Sequence, residues 1–285
     1  MTESAPARAR VGTPVDGDQV LGSLSPSRAG DFKTCPLLYR LRTIDKLPER
    51  PSPDAVRGTV VHKVLEDLFD LPAADRTPEH AEELVQGAWE HVLAEEPLAA
   101  TMFSTADGQS TGLEIAEWLA SCREVLRRYF TLEDPRQLEP AERELYVETL
   151  LDTRLLLRGI VDRIDVAPNG AIRVVDYKTG RSPGEGWESK ALFQMRFYAL
   201  VIWRTRGVIP AVLRLIYLGN GEMVSYSPDE ADLLATERLV KALWTAIETA
   251  RETGEWQPSP SKLCEWCSFK EFCPAFGGTP PELPS

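Results

Sequence analysis

The 285-residue sequence contains no run of eighteen apolar residues, and its N-terminus is polar and rich in proline and alanine. Neither a membrane span nor a secretory signal is expected, which leaves the cytoplasm as the default location. The five cysteines are unevenly placed and do not form the even framework of a small disulfide-stapled domain. No G-x-x-x-x-G-K-[ST] phosphate loop occurs, so any nucleotide-driven motor activity would have to come from another chain. Basic residues are in deficit: the net charge is −12, which argues against coating nucleic acid by bulk electrostatics but is compatible with a local basic channel. What the chain has in quantity is apolar material, 43% of residues, ample for the core of one elaborated domain or two.

The most informative stretch is Gly159–Gly180, G-I-V-D-R-I-D-V-A-P-N-G-A-I-R-V-V-D-Y-K-T-G. β-branched residues on both sides of a turn predict a central strand pair. Pro168 and Asn169 suit the central positions of a type I turn, and Gly170 the left-handed residue that closes a three-residue loop with a bulge. That loop pairs Ala167 with Ala171, sets Asp162 opposite Asp176, and puts Lys178 on the same face. A two-residue loop at Asn169-Gly170 would instead turn Asp162 away from Asp176. Two adjacent carboxylates in a partly buried sheet repel, which points to a divalent cation between them with oxygen ligands and retained waters, as Mg²⁺ prefers. The alternative is a surface hairpin carrying a salt bridge.

Residues 1–22 lack periodicity and read as a disordered tail. Order is expected from Ser25-Pro26-Ser27, where a serine can cap a helix running towards Cys35-Pro36. Arg40, Arg42 and Lys46 beside Tyr39 form a basic patch that either faces phosphate or is a solvated helix with Asp45 and Glu49 as partners. The stretch R-G-T-V-V-H-K-V-L-E-D-L-F predicts a helix with His62 and Glu66 on one face. Helices at 78–96 and 111–132 make up a helical insertion, about 74–139, whose His80, His91 and Cys122 are read as structural. A strand at 143–151 leads into the central pair. A helix from about 187 to 206 places Gln194 and Tyr198 four apart, then come a hairpin turned at Gly219-Asn220-Gly221, a long helix at 228–253, and a flexible end at 277–285.

The segment C-E-W-C-S-F-K-E-F-C-P places Cys264, Cys267 and Cys273 together. Three thiols need a fourth, and Cys35, itself followed by proline, is a better candidate than Cys122. Zinc fits, but three clustered cysteines ending in Cys-Pro with one remote ligand lean towards a 4Fe-4S cluster. Joining Cys35 to this segment closes a long loop, a staple of roughly 5 kcal/mol in the loop-entropy picture. Trp256, Trp266, Phe269, Phe272 and Phe276 can shield such a centre from water or stack on bases.

From Ser25 to Pro274 the ordered set of S-P-S with Cys35-Pro36, R-G-T-V-V-H, G-I-V-D-R-I-D, V-V-D-Y-K-T-G, Gln194 with Tyr198, and the cysteine triplet resembles the RecB-like exonuclease family of the PD-(D/E)XK nuclease superfamily. The likeness includes iron-sulfur members such as the AddB nuclease domain and the four-cysteine CRISPR-associated nucleases. The resemblance implies an α/β, restriction-endonuclease-like core, a mixed central sheet flanked by helices, in one domain over 23–276. It implies a helical insertion and a C-terminal iron-sulfur clasp within 255–276. It further implies Mg²⁺ or Mn²⁺ at His62, Asp162 and Asp176, a catalytic lysine in Lys178, a positioning pair in Gln194 and Tyr198, and cluster ligands in Cys35, Cys264, Cys267 and Cys273. Glu66 is a candidate support for the metal ligands. The central acid is Asp176 where some members have glutamate. The implied activity is metal-dependent hydrolysis of DNA, as an exonuclease on single strands or DNA ends, in repair or recombination and beside a helicase or repair-complex partner. A catalytically silent iron-sulfur DNA-binding module is the alternative. A serine acyltransferase built on Lys178-Thr179-Gly180 and Ser259-x-x-Lys262 is excluded by motif order and a missing S-D-N element.

Overall fold

The computed structural model describes residues 10–11, 15–104, 109–110, 114–183 and 188–284. In chain order its main elements are β1 (Arg10–Val11), β2 (Gly22–Leu24), α1 (Pro26–Thr34), α2 (Pro36–Tyr39), α3 (Pro53–Leu68), α4 (Pro78–Glu95), α5 (Ile115–Leu132), β3 (Glu142–Leu150), β4 (Leu155–Val166), β5 (Ile172–Lys178), α6 (Glu188–Arg206), β6 (Val212–Tyr217), β7 (Glu222–Tyr226) and α7 (Glu230–Thr253). Among the described residues seven strands form one sheet in the order β1-β3-β4-β5-β6-β7, with β2 also paired to β4. Adjacent pairs β3–β4, β4–β5 and β6–β7 are antiparallel, while β5 and β6 are parallel and joined through α6, so the sheet is mixed.

Strand residues alternate between two apolar layers, which explains why both faces of the central strands read as hydrophobic. Val174, Leu213, Leu215 and Tyr217 pack with α1, α6 and α7 on one face. Val175, Tyr177, Ile216 and Leu218 pack with α3, α4 and α5 on the other. The helical insertion is therefore the cover of one whole sheet face. Cys122 lies fully buried there, and burial pushes its thiol up to about 11, as suits an inert core residue. No helix among the described residues is long and apolar enough to cross a membrane.

The hairpin loop forms as its residues predict. Gly170 takes φ +82, its N–H donates to Ala167 O at 2.8 Å, and Ala167 N–H donates to Ala171 O at 2.9 Å. Pairing then runs Val166↔Ile172 to Arg163↔Val175 and stops. The next step in that register is Asp162 against Asp176. At its other end β4 is flanked by β2, over Leu155–Leu157. The twelve-residue β4 thus serves two neighbours in turn, and its middle carries the acid.

Two expectations about the chain ends are corrected, and the open question of the basic patch is decided. Order starts well before residue 23: Arg10 and Val11 pair with Tyr146 and Val147, and Gly22–Leu24 pair with β4. Backbone pairing needs no apolar periodicity, so sequence pattern alone does not reveal it. Of the two readings of the basic patch, pairing with Asp45 and Glu49 is the one found: Arg40 is buried against Asp45 at 3.0 Å and Arg42 bridges Asp31 and Glu49, each at 2.7 Å. Arg40 also donates to the carbonyl of Pro281, which ties the C-terminal stretch down.

Leu126 is fully buried in the insertion-side layer. Leu126→Ala is expected to cost about 2–5 kcal/mol. It should lower one cooperative thermal transition; a separate early transition would show that the insertion is an independent unit.

Candidate active site

Five elements converge where the β4–β5 ladder ends. β4 supplies Asp162, β5 supplies Asp176 and Lys178, α6 supplies Gln194 and Tyr198, α3 supplies His62, and β3 supplies Glu144. Where Tyr177 would continue the ladder, its backbone N–H instead donates to Asp162 Oδ2 at 2.7 Å. The backbone donor stays satisfied and the carboxylate is aimed at the opening between the strands. The Tyr177 ring is anchored in the other layer, where its hydroxyl accepts from Arg163 at 2.6 Å and Arg163 pairs with Glu133 at 2.8 Å.

Asp176 is buried, 1% exposed, yet one of its oxygens meets a full charge: Lys178 Nζ stands 2.7 Å from Oδ2. Lys178 also donates to Gln194 Oε1 at 2.9 Å. The Gln194 amide donates in turn to Asp176 Oδ1 at 2.8 Å and to the Tyr198 hydroxyl at 3.2 Å. One amide therefore grips both members of the acid–lysine pair, and the helical i, i+4 spacing fixes which way it faces. Gly159 makes this possible, since a Cβ there would lie 2.6 Å from the Tyr198 ring.

His62 reaches the site from the insertion side. Its Nε2 lies 2.9 Å from the Tyr177 carbonyl, while Nδ1 faces Asp162 Oδ2 at 3.6 Å and Glu144 Oε1 at 3.9 Å. Among the described residues His62, Glu144 and Asp162 form a group whose ligand atoms all lie within 4.8 Å of one another. Burial pushes Asp162 up to about 6, with His62 opposing and Asp176 adding to the rise. For His62 and Lys178 burial acts downwards, but the surrounding carboxylates outweigh it and both are raised. Lys178 is held as an ammonium. Asp176 Oδ2 is buried and is met by the Lys178 ammonium at 2.7 Å. The donor set, oxygens and one imidazole, suits a hard divalent ion.

With this geometry in view, comparison with known proteins is decisive for the family. Residues 23–274 match the profile of the PD-(D/E)XK nuclease superfamily. The chain belongs to that superfamily. It is 26% identical over 270 residues to the gene 69 protein of Mycobacterium phage D29, covering 88% of this chain and 96% of the relative. It is 25% identical over 296 residues to the gene 69 protein of Mycobacterium phage L5, covering 92% and 99%. The crystal structure of a candidate exonuclease from Eubacterium rectale superposes with a TM-score of 0.53 at 12% identity, over 90% of this chain and 93% of that one.

In this PD-(D/E)XK chain the structure brings His62, Asp162, Asp176, Lys178, Gln194 and Tyr198 to one place. Glu66 borders a small cavity with His62, Glu144 and Asp162, but its carboxylate pairs with Lys63 at 3.0 Å. Glu144 is the residue sequence reasoning missed. Its position opposite Asp162 depends on the β3–β4 turn, where Arg154 takes φ +59, the left-handed position that a glycine would have advertised. The arginine is held there by hydrogen bonds to Asp18 O and Gln19 O at 2.7 and 2.8 Å.

The four cysteines singled out by spacing, Cys35, Cys264, Cys267 and Cys273, line one apolar pocket of about 60 Å³. Backbone N–H groups of Ser259 and Ser261 point at Cys35 and Cys264 sulfur at 3.4 and 3.3 Å. The aromatic residues divide. Phe269 is buried in the pocket wall and the half-exposed Phe276 also lines it, whereas Trp256 is buried against Tyr39 and Trp266 is 75% exposed.

Gly159→Ala is expected to destabilise the protein by about 1–3 kcal/mol through overpacking against Tyr198. Combining it with Tyr198→Ala should give a coupling energy well above additivity in a denaturant double-mutant cycle. Strict additivity would show that the close approach does not constrain the site.

Proposed function

We propose that this chain is a metal-dependent deoxyribonuclease hydrolysing phosphodiester bonds, an exonuclease on single-stranded DNA or DNA ends that serves DNA repair, recombination or processing. The observation that carries this reading is the position of the Asp176–Lys178–Gln194 grip. Lys178, Gln194 and Tyr198 line a groove of about 1130 Å³ together with Lys33, Arg158, Lys190 and Lys262. Among the described lining residues the only acid, Asp31, is paired with Arg42. In a chain of net charge −12 that concentration of cations is a local basic channel, suited to a phosphate backbone. Trp266, on the same turn as Lys262, offers a face for base stacking, which favours a single strand.

Asp162, Asp176 and His62 are the groups that would hold Mg²⁺ or Mn²⁺. Such an ion supplies Lewis-acid stabilisation of charge on the phosphate, worth several kcal/mol. Lys178, kept protonated by Asp176, offsets negative charge developing on the phosphate and orients the attacking water through its remaining N–H. Gln194 fixes the ammonium and the carboxylate relative to each other, and Tyr198 fixes Gln194. The phosphate backbone in the groove is held by Lys33, Arg158, Lys190 and Lys262. Motor activity, where a DNA end must be opened, belongs to a helicase or repair-complex partner.

The cysteine pocket supports a 4Fe-4S cluster at Cys35, Cys264, Cys267 and Cys273 rather than zinc. Three clustered cysteines ending in Cys-Pro with one remote ligand lean towards the cluster. The N–H groups aimed at two of the sulfurs are the hydrogen bonds that tune such clusters.

Labelled single-stranded and duplex DNA incubated with anaerobically purified protein and Mn²⁺ or Mg²⁺ is expected to be degraded, with the single strand preferred. Lys178→Ala should reduce the rate at least a hundredfold. Cleavage that survives in the variant, or a cluster-loaded wild-type protein that binds DNA without cutting it, would overturn the reading in favour of a silent binding module. Cys267→Ser should abolish the visible chromophore and lower the thermal midpoint; an unchanged protein would refute the cluster.

A further inference from the structure

We propose that Glu144 is a ligand of the catalytic cation, sharing it with His62 and Asp162. The inference rests on the metal-dependent reading above and extends it to a residue outside the sequence motifs. Three observations lead to it. The first is the orientation of His62. Its Nε2 lies 2.9 Å from the Tyr177 carbonyl, an oxygen that can only accept, so Nε2 carries the proton. In the neutral ring the Nδ1 lone pair then faces Asp162 Oδ2 at 3.6 Å and Glu144 Oε1 at 3.9 Å. With Nδ1 deprotonated, as a metal ligand must be, three lone-pair donors converge, and both separations exceed a hydrogen bond.

The second is spacing. An octahedral ion with ligands at about 2.1 Å holds adjacent ligand atoms roughly 3.0 Å apart and opposite ones roughly 4.2 Å apart. The two measured separations lie between these values and all three atoms stand within 4.8 Å of one another, so shifts of under about 1 Å bring them into one coordination shell. The third is charge. Asp162, Asp176 and Glu144 bring three carboxylates into a half-buried space beside Lys178, where a divalent cation offsets their mutual repulsion. The backbone at Glu144 agrees with a placed side chain. It sits at φ +44 within a strand, in the left-handed region, where a non-glycine residue costs about 1 kcal/mol or more.

The test is Mn²⁺ binding to the full-length protein, followed as loss of the free-ion electron paramagnetic resonance signal, with cleavage not used as the readout. Glu144→Gln is expected to weaken binding by about tenfold to a hundredfold, the range seen for disrupted metal-site residues. Glu144→Gly removes the carboxylate and relieves the backbone at the same time. It should weaken Mn²⁺ binding equally while keeping or raising the metal-free melting temperature. Wild-type affinity in either variant would overturn the assignment of Glu144 and leave the metal-dependent reading standing. A wild-type protein that takes up no Mn²⁺ would overturn both.

Discussion

Everything at the centre of this molecule follows from an electrostatic conflict placed where two strands part. Asp162 and Asp176 are set opposite each other by the hairpin register, and β4 and β5 stop pairing at that step. The backbone donor freed by the parting is taken up by Asp162 itself, through the Tyr177 N–H. Like charges in a half-buried space are costly unless they are paired. The structure offsets one of them with Lys178, gripped by Gln194, and leaves the rest for a cation. The surrounding architecture serves that arrangement: α6 brings the glutamine, α3 brings the imidazole from the opposite layer, and the Arg163–Glu133 pair anchors the tyrosine whose backbone orients both sides.

The part of this that was legible in the sequence is the part governed by local rules. Pro168, Asn169 and Gly170 specify one loop length, and a period of two then decides which acids face each other. Gln194 and Tyr198 share a helix face because four residues make about one turn. Glu144 was hidden because its register depends on a turn closed by Arg154, and an arginine in a left-handed position carries no turn signal. The short strands near the N-terminus were hidden for a related reason, since they contribute backbone hydrogen bonds rather than an apolar pattern. For Arg40 and Arg42 the sequence offered Asp45 and Glu49 as partners beside an open patch, and only the fold decides between the two. The groove cations, drawn from Lys33, Arg158, Lys190 and Lys262, are scattered along the chain and assemble only in the fold.

The cysteine pocket and the groove share a wall. Ser261 and Leu263 border both, and Lys262 between them faces the groove. A centre that organises this segment therefore also positions a phosphate contact and the exposed Trp266 beside it. Membership of the PD-(D/E)XK nuclease superfamily accounts for the sheet and its acid–lysine pair. The groove's charge, concentrated in an acidic chain, accounts for how a phosphate backbone is drawn to that pair.

Anomalous diffraction from crystals grown with Mn²⁺ tests the central claim most directly, because it locates the ion without reference to activity. The expected result is a strong peak at the parting of β4 and β5, within coordination distance of Asp162 and His62 and on the open side of Asp176. A map with no peak there, or with Mn²⁺ bound elsewhere while the Asp162–Asp176 opening holds only the Lys178 ammonium, would contradict the account.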